Sequence, residues 1–150
     1  MKFTPVKLNA FLFFKLPSAY WSGVRVKTIL PDICEVCVRH KWFNQNPFKS
    51  MYFATQAMAA ELTTGALVMY YIKSSGKNIS MLVTQNSSEF SKKATGKITF
   101  VCNEGHLVKE AIQNAIDTKQ GQTLWLTSVG KNENNEIVST MKFMWSIKVK

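Results

Sequence analysis

The sequence predicts an α+β fold in which a curved, mainly antiparallel sheet wraps one long apolar helix, and three observations carry that reading. The stretch after Ser50 is apolar on nearly every helical face, so other structure must surround it. Seven segments read as strands against two internal helices, and strands in that excess need a sheet. The links inside the two clearest hairpins are short, which joins neighbouring strands antiparallel.

In chain order, the apolar run Ala10 to Phe14 follows Lys2 and Lys7 in the manner of a signal peptide. Lys15 and Pro17 interrupt it and no small-residue cleavage site follows cleanly, so a leading helix or strand packed on the core is expected. Val24 to Ile29 and Ile33 to Lys41 have the β-branched content of a hairpin, turned at Leu30-Pro31-Asp32. The apolar helix is expected from about Ser50, which would cap it, to Thr64, with Gly65 in the C′ position. Ala66 to Lys73 then reads as a buried strand, and Ile79 to Thr84 and Lys97 to Cys102 as two more, separated by a Ser/Lys-rich connection. A second helix, with Asn103 as N-cap, carries one stripe of Leu107, Val108, Ala111, Ile112, Ala115 and Ile116 and closes at Lys119 and Gly121. The last hairpin pairs Thr123 to Val129 with Ile137 to Val149, whose alternating Met141, Phe143, Trp145 and Ile147 mark a core face.

At 150 residues and 46% apolar content, the chain fits one domain, residues 1–150. Its longest apolar run, Ala66 to Ile72, is far short of the roughly 18 residues a membrane-spanning helix needs, so no membrane span is expected. Three cysteines, an odd number in a chain of this size, suit a reducing, cytoplasmic setting. Cys34 and Cys37 stand three apart on a strand and so face opposite ways, which makes a shared metal or disulfide a poor fit; no metal site is expected.

The net charge of +10 calls for an anionic partner or a soluble basic surface. The lysines are scattered singly, with Lys92-Lys93 the one adjacent pair, and Thr95 to Cys102 lacks the alternate aromatics of an RNA-recognition strand. Nucleic acid is not an expected partner.

Glu61 is the one carboxylate in the apolar helix. Surrounded by Ala57, Met58 and Leu62, it should have its pKa raised by desolvation toward the range a general base needs, although the same burial suits a structural glutamate bonded to a threonine or the backbone. Gln56 and Tyr52 read more simply as structural or packing residues.

The segment Asn46-Pro47-Phe48-Lys49-Ser50 leading into this helix resembles the loop N-P-F-G-T-x-H-G-G of phenylacetate-pathway acyl-CoA thioesterases, which have the hot-dog fold and carry an acid inside the following helix. Asn46-Pro47-Phe48 matches the opening, Ser50 stands at the hydroxyl position and Glu61 at the acid, with no gap in register. Lys49 replaces the first Gly, Tyr52 stands at the His, and Phe53 and Ala54 stand at the Gly pair. With the closing Lys142 to Ser146, this pattern is most similar to an uncharacterised bacterial branch that is called thioesterase-like.

The resemblance implies an acyl-CoA thioesterase acting as a homodimer or dimer of dimers, with the thioester as substrate and no cofactor. Glu61 would activate water or attack the thioester, Asn46 would orient the water or carbonyl, and the N–H of Phe53 would polarise the carbonyl, with Ser50, Tyr52 and Phe53 lining the substrate site. A non-catalytic acyl or acyl-CoA binder on the same scaffold, with Met51 and Phe53 filling the slot, is the alternative. An electrostatic binder of nucleic acid or anionic lipid ranks third.

Overall fold

The structure is a computed structural model that describes residues 3–150. Two helices open it, α1 (Pro5–Lys15) and α2 (Pro17–Trp21), each with proline in its first turn, where the missing N–H has no helical partner to lose. Thr4 caps α1 through its hydroxyl, which accepts from the Lys7 N–H. The leading segment thus forms a helical hairpin, anchored by buried Leu8 and Leu12.

Strands β1 (Arg25–Ile29) and β2 (Cys34–Arg39) form the expected hairpin, followed by a short 3-10 turn at Trp42–Asn44. Helix α3 (Phe53–Ser75) comes next, then β3 (Ile79–Phe90), β4 (Lys97–Cys102), helix α4 (Gly105–Thr118), β5 (Gln122–Lys131) and β6 (Ile137–Val149). The strands form one six-stranded sheet in the order β1-β2-β4-β5-β6-β3, antiparallel at every junction.

Helix α3 packs on the concave side of this sheet, and Leu62, Ala66, Leu67 and Val68 are buried from its middle turns. Burying a leucine or valine fully stabilises the fold by about 1.5–3 kcal/mol, so these turns are its main anchor. The polar residues that enter the core with the helix are paired: Thr63 is hydrogen-bonded to the Ser128 hydroxyl at 2.8 Å, and Trp145 Nε1 donates to Thr64 Oγ1 at 2.9 Å.

Four expectations are corrected. Helix α3 does not stop at Gly65 but runs to Ser75 and ends on Gly76, which has the left-handed φ of 65°. Ala66 to Lys73 is therefore helix rather than strand; a short apolar run has no periodicity to separate the two, and burial under the sheet decides it. Strand β3 extends past Thr84 to Phe90, because its polar second half pairs with β6 residue for residue after an irregularity between Val83 and Gln85. Helix α4 is capped at Glu104 rather than Asn103, and the Glu104 carboxylate accepts from the Thr127 N–H at 2.6 Å, which ties the helix to β5.

The two edges of the sheet differ. On β1, the Asn9 side chain of α1 covers the edge: its Nδ2 donates to the Val26 carbonyl at 3.0 Å and its Oδ1 accepts from the Val26 N–H at 2.8 Å. Among the described residues no strand covers the outer edge of β3, which is twelve residues long. An uncovered edge of that length is a template for pairing with another chain.

Candidate active site

The loop before α3 is built around Asn46. Its Oδ1 accepts from the N–H groups of Phe48 and Ser50 at 2.9 and 3.2 Å, and its Nδ2 contacts Ser50 Oγ and the Met51 carbonyl at 3.0 and 3.3 Å. An asparagine that closes its own turn in this way holds the loop in shape. Ser50 is buried and bonded to Asn46, and it does not cap α3 as expected: the N-cap is Tyr52, with no side-chain bond to the helix. Lys49 adopts a φ of 60°, the left-handed conformation that glycine takes at little cost, so the turn keeps a glycine-like backbone while carrying a lysine.

This loop and the first turn of α3 line a cavity of about 500 Å³, with Asn46, Ser50, Tyr52, Phe53 and Gln56 on one side and Phe90, Lys92 and Lys93 on the other. Phe53 is exposed and meets Tyr52 and Phe90 edge to face, with ring centroids 5.1 and 6.3 Å away. Gln56 is buried, accepts from Ser139 Oγ at 2.9 Å and has Nε2 3.5 Å from the Met51 carbonyl, so it braces the loop. Lys92 and Lys93 escaped the sequence reading as site residues, because they lie some forty residues along the chain and meet the loop through tertiary bonds, the Met51 N–H to the Ala94 carbonyl at 2.8 Å and Lys93 Nζ to the Phe48 carbonyl at 3.2 Å.

Glu61 lies two turns further along α3, half-buried, in a second cavity of about 270 Å³ bounded by Lys15, Leu16, Pro17, Ser18, Met58 and Leu62. Burial pushes its carboxyl up to about 6. Among the described residues neither Thr63, Thr64 nor any other group donates a hydrogen bond to that carboxylate; Thr63 and Thr64 instead bond back to the carbonyls of Ala60 and Glu61. The structural reading, in which such bonds hold the acid, therefore lacks its partners.

The candidate residues form two groups. Asn46, Ser50, Tyr52 and Phe53 meet around the first cavity, while Glu61 stands eight residues from Phe53, about 12 Å along a helix rising 1.5 Å per residue. Glu61 and the N–H of Phe53 are therefore not neighbours within one copy. The three cysteines are free and buried, Cys34 lies opposite Cys102 across β2 and β4, and burial pushes the Cys102 thiol up to about 12.

Residues 7–147 match a domain of unknown function, DUF4442. The chain belongs to that family. No curated protein matches this DUF4442 chain. Among solved structures, a Pseudomonas aeruginosa protein of unknown function described as a probable thioesterase, PA5026, superposes with a TM-score of 0.80 at 20% identity, covering 98% of this chain and 97% of the other. OLEI01261 of Chlorobaculum tepidum, of unknown function, has a TM-score of 0.83 at 13% identity, with 97% and 94% covered. The Staphylococcus aureus thioesterase SAV0944, solved as a glutamine-to-alanine variant at its position 32, has a TM-score of 0.65 at 12% identity, with 83% and 93% covered. A second structure of SAV0944 carries a glutamate-to-alanine change at its position 47 and has a TM-score of 0.63 at 11% identity, with 85% and 94% covered. The DUF4442 chain has the hot-dog fold of these thioesterase-like proteins: a curved antiparallel sheet around a central helix.

Proposed function

We propose that this DUF4442 protein is an acyl-CoA thioesterase that works as a homodimer, with Glu61 of one copy acting on a thioester held by the partner's loop. The observation that carries the reading is Glu61 itself, a half-buried carboxylate with no donor bonded to it among the described residues and a cavity beside it. Its distance in sequence from Asn46 supports the same assignment, since the two altered residues of SAV0944, at positions 32 and 47 of that chain, have the same separation.

In the proposed reaction Glu61 takes a proton from water as the water oxygen attacks the thioester carbon. The oxyanion that forms is held by the N–H of Phe53 of the partner subunit, where the helix dipole assists. The C–S bond then breaks, and the leaving thiolate receives the proton from Glu61, giving a carboxylic acid and free CoA. A second copy is required because the two groups are about 12 Å apart in one chain. The open edge of β3 supports such pairing, and Lys93 by the loop suits the CoA phosphates, whereas Lys92 is paired with Glu136 at 2.6 Å.

The test is a panel of acyl-CoA esters assayed for free thiol with wild type and Glu61→Gln. The expected result is turnover that falls by roughly 10²–10⁴ in kcat in the variant; a variant as fast as wild type removes Glu61 from the mechanism. One feature favours a second reading, a non-catalytic acyl-CoA binder: the Tyr52, Phe53 and Phe90 rings occupy the mouth of the first cavity. That reading is supported by thermal stabilisation on adding acyl-CoA with no thiol released.

A further inference from the structure

The end of the molecule where α1 meets α2 carries a dense group of unshielded aromatic side chains. Phe14 and Trp21 are 74% and 63% exposed, and Phe13, Phe14, Tyr20 and Trp21 stack on one another edge to face or tilted. Beside them, in the turn after β2, Trp42 and Phe43 are 82% and 62% exposed. The two segments are locked together by buried Asn44, whose Nδ2 donates to the carbonyls of Ser22 and Arg39 at 2.9 Å. Lys41 Nζ lies along Gly23 at the end of α2, 3.5 Å from where a β-carbon would sit. A fixed surface of this kind needs an occupant, because large apolar groups are not left in water in such number without use.

The surrounding charge selects the occupant. Residues 1–60 contain eight Lys and Arg and two acids, Asp32 and Glu35, and from the last hairpin Glu133 reaches the Arg39 end of β2, where it pairs with that guanidinium at 3.6 Å. Both acids sit toward the turn end of the β1–β2 hairpin, where Glu35 accepts from Thr28 Oγ1 and Asp32 is 3.8 Å from His106. Lys15 and Lys41 are the exposed cations at the opposite, aromatic end, where the Arg25 guanidinium is held on the protein itself, 3.7 Å from the centre of the Tyr20 ring and donating to the carbonyls of Tyr20 and Val24 at 2.7 Å. Glu61 reaches this end only from within its cavity, which Lys15 and Leu16 also line.

We infer that this face docks on an anionic phospholipid bilayer, lying on it rather than crossing it. Trp and Phe sink into the headgroup boundary while Lys15 and Lys41 meet lipid phosphates, the composition that interfacial helices use. Exposed Leu16 and Val6 on the same helices suit acyl chains and offer nothing to a nucleic-acid base. The inference does not depend on Glu61 being catalytic.

Co-sedimentation with vesicles tests it, using phosphatidylcholine mixed with phosphatidylglycerol beside pure phosphatidylcholine. Wild type is expected to bind the anionic vesicles and to weaken in high salt. Phe14→Ser with Trp21→Ser should lower the affinity at least about tenfold, from loss of buried apolar area. Lys15→Gln and Lys41→Gln should each lower it about fivefold, while Lys119→Gln, just past the end of helix α4, leaves it within about twofold. All five positions are exposed. Absence of vesicle binding, or equal losses from Lys41→Gln and Lys119→Gln, overturns the proposal. So does a Phe14→Ser and Trp21→Ser effect seen only on self-association or on nucleic-acid binding.

Discussion

The indole of Trp145 occupies the space that a side chain at residue 65 would need: a β-carbon on Gly65 would stand 3.1 Å from Trp145 Cζ2 and 3.3 Å from Glu61 Oε1. The same indole donates to Thr64, so the ring is pinned from both sides of the helix turn. Gly65 is therefore there for close approach, not to end the helix. Replacing it by valine should push the ring away and cost about 2 kcal/mol. Thermal melting checks this, with a fall in Tm of several degrees expected.

Glu61 gives a pH signature. Its folded pKa of about 6 lies above the ordinary 4.5, so the folded protein holds the proton more tightly than the unfolded chain. Stability from this group is intact below pH 4.5, falls as pH rises to about 6, and has been lost above that. Glu61→Gln should therefore be more stable than wild type by about 1–2 kcal/mol at pH 7.5 and equal to it at pH 4. Denaturant melts at the two pH values decide it, and a variant less stable at pH 7.5 shows that the carboxylate is held by favourable contacts.

Lys49 offers a test of backbone strain. At a φ of 60° a non-glycine residue costs about 1 kcal/mol or more, and the Lys49 side chain is exposed. Lys49→Gly should raise stability by about 0.5–1 kcal/mol, read as an increase in Tm of a few degrees, without moving the loop held by Asn46.

Strand β3 supplies the test of pairing between copies. Leu82 is exposed beside its uncovered edge. Leu82→Lys places a charge, and across a two-fold axis a pair of like charges, along that edge. The variant should shift light-scattering mass toward the monomer while its melting curve stays cooperative. If thioester hydrolysis needs both copies, activity should fall in step with dimer content.

The sequence alone determined the class of fold, the terminal hairpin and the helix with its solitary acid, because these rest on local signals. Period-two alternation in β6, β-branched content in β1 and β2, and an all-round apolar helix are each written in adjacent residues. The Asn46 to Glu61 register came instead from the resemblance of the loop to a family motif. Only the tertiary structure decided where α3 ends, since the meaning of Gly65 depends on Trp145, eighty residues away. It also decided that β1 is covered while β3 is open, and that Asn44 ties the Trp42 turn to the end of α2. Each of these depends on contacts between segments distant in the chain, and no local pattern records which distant partner takes up a given surface.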